Sequence, residues 1–449
     1  MKKIIPLILL ALLSCQKNET LDSLVSGIQF KPTDNVLRYE VSVSLKKQCK
    51  WSVELREKGS DNWRAMPGNV IMFILPETTY EYRVHVSNLY SEAEEFTTGA
   101  LPDEVPSFTL DVDNGTPDTG YLMQTKESAP GYVTFCDMQG RVVWYQSFPE
   151  DGVRCSHYVP EQGKIALLLG HKTEQASTGA HRPKYGRRIV VMDLAGNCST
   201  DFLTTADNTE FPHHEIKLMP DGNIITVEAV RKLVDIPESG YSDLEIWGDG
   251  YVILSPEGKR ISDWNIFGEL DVAENASWLY PEEYQYDLVH ANSVSWDADG
   301  NYYMTFHYIT EIWKIDGKNG KVLYRLGEHG NLKLDVPYAE GGFHAVIPLE
   351  ADKFLVNNNA RGAGAQTHAQ IYQVDTETMS ATRLLNVANK PEYSVYTGGN
   401  VELLPDGKTL HFDSTGPKSS VFMDLEGNIL KVFRREDTSY RAFYFPDLP

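Results

Sequence analysis

"HANSVSWDADGNYYMTFHYITEIWKIDGKNGKVLYRLG" (residues 290–327) decides the fold. Apolar residues alternate through SVSW, an Asp-Gly pair turns the chain, YYMTF runs back, EIWKI follows, and a second Gly turn leads into KVLYRLG. Alternation at period 2, broken by turn residues, is the pattern of antiparallel strands joined by tight hairpins. The segment therefore reads as four strands of one sheet, with His290 and Asn292 at the entrance of the first.

Its second half, a strand that ends near a Gly turn and leaves as an apolar strand, recurs along the chain. It stands at "YVTFCDMQGRVVWYQSF" (132–148), "IVVMDLAGNCSTDFL" (189–203), "YVILSPEGKRISDWNIF" (251–267), "QIYQVDTETMSATRLLN" (370–386) and "SVFMDLEGNILKVF" (420–433). The first half falls near 121, 157, 214, 292, 344 and 400, giving six units of roughly 35 to 75 residues. One four-stranded sheet cannot bury both of its faces, whereas stacked neighbours can. The prediction over 107–449 is therefore an all-β, six-bladed β-propeller. No segment holds a helical period, which excludes α-solenoids and α/β barrels.

Upstream, "RYEVSVSLKK", "KWSVELREKG" and "YEYRVHVSNLYSEAEEFTTG" alternate over shorter spans. Residues 27–100 read as a small β-sandwich, and the "TYEYRVHVSN" to "EEFTTG" ending resembles a fibronectin type III or immunoglobulin-like module. "ALPDEVP" (100–106) is the linker. Residues 16–26 are polar and read as a tether. The opening "MKKIIPLILLALLSC" carries two lysines and an apolar run too short to span a bilayer, so residues 1–15 read as a signal peptide. Ser14-Cys15 resembles a lipobox, which would make Cys15 a lipidated N-terminus and the protein an exported cell-envelope lipoprotein of the periplasm or outer membrane.

The formal charge of −22, from 63 acidic and 41 basic side chains, makes nucleic acid and anionic membrane surfaces poor partners. Contact with a membrane would run through the lipid anchor alone. Cys49, Cys136, Cys155 and Cys198 form no CxxC, so zinc and redox-motif readings gain nothing; disulfides and free thiols both stay open. No GxxxxGK[ST] phosphate loop occurs, and nothing in the sequence asks for a cofactor.

The candidate site lies in the register of the units. His214 stands eight residues before Gly222, and Asn292 stands eight before Gly300. His344 opens the equivalent strand of its own unit, and His290 shares a strand face with Asn292. First strands of propeller blades line the central channel, so these four side chains should converge there. His213 should face away unless its strand bulges; His157 and His307 are further candidates. His85, His329, His368 and His411 read as structural. Two chemistries fit the cluster. Three neutral imidazoles suit a divalent metal with an open position. Alternatively, one imidazole is a nucleophile toward an electrophilic sulfur or phosphorus centre, and the others hold the transferred oxyanion.

"FPHHEIKLMPDGN", "DLVHANSVSWDADGN" with "EIWKIDG", "FHAVIPLEADKFLVNNNARG" and "GYVTFCDMQGRVVWYQ" together resemble the bacterial arylsulfate sulfotransferases. That family consists of periplasmic six-bladed propellers with a small N-terminal β-sandwich. The resemblance implies transfer of a sulfuryl group from an aryl sulfate ester to a phenol, through a sulfohistidine and without a nucleotide donor. It places the nucleophile at His344, supporting imidazoles at His214 and His290, and an amide donor at Asn292. The family has a sulfate-binding arginine on the strand before "WKID", where this chain has His307; Arg361 in "NNNARG" is the candidate replacement cation. The rival expectations are a metal-dependent lyase or hydrolase on the same axis, and a ligand-binding propeller without chemistry.

Overall fold

The computed structural model describes residues 19–171, 186–204, 210–281, 286–337, 341–359, 361–362 and 364–448. The signal-like run and Cys15 lie outside the described residues. The chain divides into two compact units, Met1–Met72 with Glu77–Gly99, and Phe73–Pro76 with Ala100–Pro449.

Among the described residues the first unit is two antiparallel sheets. One pairs Val25–Pro32, Tyr39–Leu45 and Val70–Ile71. The other orders Arg64–Ala65, Trp51–Glu57, Thr79–Val86 and Leu89–Tyr90, with Glu94–Thr97 also beside Thr79–Val86. TYEYRVHV buries Tyr80, Tyr82, Val84 and Val86 and leaves the intervening residues partly exposed, as its alternation requires. Phe30 stacks between Tyr39 and Tyr82. The strand Val25–Pro32 corrects the reading of 16–26 as a tether: Leu21–Leu24 forms a helical turn and a strand follows at once. VSGIQFKP hides its strand character behind a glycine and four polar or proline positions.

Among the described residues the second unit is all-β, six sheets in chain order, antiparallel except where Tyr286–Asp287 runs parallel to Tyr241–Leu254 and Lys333–Leu334 parallel to Ser380–Ala388. The second sheet joins Asp151–Val159, Lys164–His171, Arg188–Asp193 and Cys198–Leu203. The third joins Glu210–Leu218, Ile224–Ile236, Tyr241–Leu254 and Arg260–Asn265, with Tyr280–Pro281 and Tyr286–Asp287 added to it. Ala291–Trp296, Tyr302–Phe306, Glu311–Ile315 and Val322–Gly327 make the fourth, the four strands of the opening quotation. Gly342–Glu350, Lys353–Asn359, His368–Asp375 and Ser380–Ala388 make the fifth, with Lys333–Leu334 on its edge.

The chain ends supply what the repeats lack. In the first sheet, Tyr121–Lys126, Gly131–Asp137 and Val142–Phe148 gain their fourth strand from Phe443–Phe445. In the sixth, Asn400–Leu403, Thr409–Ser414, Ser419–Asp424 and Ile429–Arg435 gain a fifth from Phe108–Asp113.

Two physical features build the repeat. The Asp that closes a third strand caps its own turn: Asp193 Oδ1 accepts from Asn197 N at 2.8 Å and Asp424 Oδ1 from Asn428 N at 2.7 Å. Gly196 and Gly427 in these turns have φ of +98° and +84°, which a side chain would resist. Between neighbouring sheets lie apolar layers, such as Ile225, Trp264, Met304 and Trp313 between the third and fourth. Each such side chain contributes about 1.5–3 kcal/mol by burial. First strands of successive sheets touch, from Tyr121–Lys126 through Asp151–Val159, Glu210–Leu218, Ala291–Trp296 and Gly342–Glu350 to Asn400–Leu403.

Candidate active site

Four consecutive first strands carry one or two extra residues against their partners. The register slips between Val153 and Cys155, between His213 and Ile216, between Ala291 and Ser293, and between Phe343 and Ala345. The residues left out of the ladder are Arg154, His214 with Glu215, Asn292 and His344. A bulge re-aims the side chain that it leaves unpaired, so the in-phase residues of the sequence are the ones that these strands turn out. His214 and His290 also take left-handed backbone, φ +56° and +55°. Such conformations cost about 1–3 kcal/mol and persist where the surroundings enforce them.

The outcome is a closed circuit of rings. His214 and His290 centroids are 5.2 Å apart, His290 and His307 6.0 Å, His307 and His344 6.2 Å. Tyr440 completes it at 5.4 Å from both His344 and His214. The structure thus brings His214, His290, His307 and His344 together. Asn292 is fully buried and bonded to its surroundings: Thr305 Oγ1 donates to its Oδ1 at 2.7 Å, and its Nδ2 reaches Phe343 O at 3.4 Å. Arg361 donates from Nη2 to His307 O at 2.8 Å and from Nη1 to Thr310 Oγ1 at 3.3 Å, so its guanidinium clamps the turn that carries His307.

The hydrogen bonds fix one tautomer at His214, His290 and His344. His344 Nδ1–H donates to Gly399 O at 3.2 Å, and its Nε2 accepts from Gly398 N at 3.0 Å and Tyr440 Oη at 3.1 Å. His290 Nδ1–H donates to Asp287 Oδ2 at 2.7 Å. His213 Nε2–H donates to Asp249 Oδ1 at 3.1 Å, leaving its Nδ1 to accept from His214 Nδ1–H at 2.5 Å. His214, His290 and His344 therefore keep the lone pair on Nε2 when neutral. Asp249 and Asp287 are fully buried and also hold backbone, Asp249 Oδ2 at Ala291 N and Asp287 Oδ1 at His290 N. His213 is fully buried, stays in the ladder opposite Val227, and serves as the link that orients His214.

Arg441 ties the strands from behind. Its Nη1 donates to Glu215 Oε2 at 2.6 Å, and its Nη2 to Asn292 O at 2.7 Å and His344 O at 3.1 Å. Burial, then Arg441, then the neighbouring imidazoles hold His344 well below the usual histidine pKa, so it is neutral at pH 7 and its lone pair is intact. Burial pushes the Tyr440 hydroxyl well above its ordinary range and keeps it a donor.

Sequence reasoning missed Tyr440, Arg441, Asp249 and Asp287. The first two precede the C-terminal strand that enters the first sheet, beyond the last recognisable repeat. Asp287 stands three residues before His290, the one signal that was within reach. His157 is placed elsewhere: its Nδ1 accepts from Leu218 N at 3.1 Å, and burial with nearby Lys217 pushes its pKa down to about 3. His411 pairs with Glu402 at 2.8 Å, and His85 stacks on Tyr90 at 4.5 Å, as structural roles require. Cys49, Cys136, Cys155 and Cys198 are free thiols. Among the described residues, no group of three or more His, Cys, Asp or Glu side chains is arranged to hold a metal ion.

Comparison with known proteins places this site in context. A protein of unknown function from Bacteroides caccae is similar at 11% identity and a TM-score of 0.46, over 73% of this chain and 100% of that one. The periplasmic gluconolactonase PpgL of Pseudomonas aeruginosa is similar at 12% identity and a TM-score of 0.42, over 74% and 99%. The β-propeller domain of Cps50 (Swd1) from Myceliophteria thermophila is similar at 10% identity and a TM-score of 0.40, over 74% and 88%. No curated protein sequence matches. The arylsulfotransferase (ASST) family model matches residues 108–431, which hold every imidazole of the circuit, and the chain belongs to that family.

Proposed function

We propose that the six sheets are the blades of one propeller, that the first unit is an immunoglobulin-like sandwich, and that the ring circuit transfers sulfuryl groups between aryl sulfate esters and phenols. The observation that carries the reading is His344, neutral, bulged toward the other rings and locked as the Nδ1–H tautomer. Nε2 of His344 attacks sulfur, the S–O ester bond breaks, and its electron pair leaves with the phenolic oxygen. Tyr440 Oη–H and Gly398 N–H, which hold Nε2 at rest, yield to the sulfur and are left facing the sulfuryl oxygens. His214 and His290, once protonated on Nε2, and the Nδ2 of Asn292 supply further donors, each such contact contributing about 2.7–4 kcal/mol to the transition state. An acceptor phenol then takes the group from His344, with water as the acceptor in a hydrolytic version. No nucleotide donor is needed. Cys15 anchors the chain to the cell envelope as a lipoprotein, a point that labelling with a radioactive fatty acid tests separately.

Acid-stable adducts do not report a sulfohistidine, so the test uses rapid alkaline quench of protein mixed with 4-nitrophenyl sulfate, then peptide mass spectrometry. One SO3 on the His344 peptide and a stoichiometric burst of 4-nitrophenol are expected. A second reading, a binding propeller without chemistry, draws on the double occupation of Nε2 by Gly398 and Tyr440. It predicts saturable binding of the ester with no burst and no adduct.

A further inference from the structure

His307 is the one imidazole of the circuit with nothing to hold. It is 2% exposed, and neither ring nitrogen makes a geometrically sound hydrogen bond among the described residues, with only the Gly342 backbone close enough to favour its protonated form. His344, by contrast, engages both of its nitrogens with three groups. A buried polar group left unsatisfied costs about 1–3 kcal/mol, so a ring kept in that state points to a ligand that completes it. Its seat is built: the His307 N–H donates to His290 O at 2.9 Å, and Arg361 clamps its carbonyl at 2.8 Å. Gly342 makes room for the ring, since a Cβ there would come within 2.2 Å of His307 Cε1. The backbone is held while the ring stays open.

The groups that face this ring come from every side. His290 is 6.0 Å away with Asp287 behind it, and His344 is 6.2 Å away with Arg441 behind it. Tyr308 and Tyr396 flank the ring at 5.9 and 5.5 Å, and Tyr396 is 52% exposed, so the ring lies near the surface along that side. Resting on the sulfuryl-transfer reading above, we infer that His307 is the proton carrier of the reaction, meeting the bridging oxygen of the aryl ester and then the hydroxyl of the acceptor phenol. In the first half-reaction the His307 imidazolium protonates the departing phenolic oxygen as the N–S bond forms on His344. In the second, neutral His307 takes the acceptor's proton as the new S–O bond forms and the N–S bond breaks. Protons and electron pairs balance over the cycle.

Charge explains how the ring is loaded. Burial first, then His290 and Arg361, hold its pKa well below the usual histidine value, so at rest it is neutral. A bound sulfate ester brings a negative charge to the same space, which favours the imidazolium and raises that pKa. Anion binding should therefore take up a proton at His307. The donor half-reaction should fall about tenfold per pH unit above the raised pKa, while the acceptor half-reaction, which needs the neutral ring, should not fall.

The substrate consequence is that His307 extends the reaction to esters of weakly acidic phenols, whose oxygens leave poorly without a proton. His307→Gln tests this, keeping a polar side chain that carries no transferable proton. The variant's burst should drop about 10²-fold or more with phenyl sulfate, and by a factor at least about tenfold smaller with 4-nitrophenyl sulfate, whose phenolate leaves more readily without a proton. Calorimetry with inorganic sulfate, in buffers of different ionisation enthalpy, should show proton uptake by wild type and none by His307→Gln. Equal losses with both donors, or uptake that persists in a folded variant, overturn the proton-carrier role while leaving sulfuryl transfer standing. A wild type that releases no phenol from either donor overturns both.

Discussion

The first strands of the third, fourth and fifth sheets and that of the sixth open on one motif, a His or Asn placed ahead of a strand and a tight turn, which holds a glycine in all but the fifth. In the three, the strand bulges at the motif, and His214, Asn292 and His344 leave the ladder. In the sixth, Asn400 stays in register opposite Asp413. Its side chain is buried, with neither amide atom partnered among the described residues, and it joins none of the ring contacts of the circuit. Asn292 stands eight residues before its turn glycine and Asn400 seven, the difference being the residue that the bulge adds, so the same residue type at matching strand entrances yields a site member in one place and a buried spectator in the other. The pleat alone gives each strand an alternation; the bulge selects which member of it is turned out.

The sharpest break of this comparison is at His344. His344→Asn keeps one hydrogen-bonding side chain at the bulge and removes the nucleophilic Nε2. Phenol release and adduct formation should fall at least about 10³-fold, with thermal unfolding little changed. Turnover near wild type would show that the bulged imidazoles of the fifth sheet carry no bond-making role.

Next comes the clamp behind the bulges. Arg441→Met leaves Glu215 buried without its guanidinium, with only Lys217 Nζ at 3.6 Å to compensate. Breaking a buried pair from one side costs about 3–5 kcal/mol, and this loss should appear in urea unfolding. Adding Glu215→Gln to Arg441→Met should recover part of it. A single variant as stable as wild type would mean that the bulges are held by the strands themselves.

How much of this was legible depends on what each residue answers to. The repeats were readable because turn and strand chemistry is local: Asp424 caps a turn that Gly427 closes within four residues. His214, His290 and His344 were readable because repetition put them in phase. Tyr440 and Arg441 were not, since their role depends on the C-terminal strand entering the first sheet, a pairing over more than 300 residues. The orienting carboxylates were half hidden for the same reason. Asp287 is three residues from its histidine, but Asp249 reaches His213 across the intervening strand Ile224–Ile236.

Asp287 offers a smaller break. Asp287→Asn presents an amide to His290 Nδ1, so the ring loses the carboxylate that fixes its tautomer and faces its charge. Turnover should fall about 10–100-fold at saturating donor, the range for groups that orient an imidazole rather than react. The adduct on His344 should still form, more slowly. If the variant is indistinguishable from wild type across pH 6–8, His290 does not depend on its tautomer, and its place among the oxyanion donors falls.

The smallest effect should come from the spectator. Asn400→Ala removes an amide that has no partner, so the gain from deleting an unsatisfied polar group offsets the small cavity left behind. Stability should shift by less than about 1 kcal/mol, and turnover by less than about threefold. Asn292→Ala, the same chemical change at a bulge, should cost about 10²-fold in turnover through loss of an oxyanion donor. The pair isolates backbone register from residue type, because both residues are buried asparagines opening first strands. Equal losses in the two variants would mean that Asn400 also reaches the sulfuryl group and that the bulge is not what selects the site. Unequal losses, in the order given, assign the selection to the one residue that the fourth sheet's first strand adds to its ladder and the sixth does not.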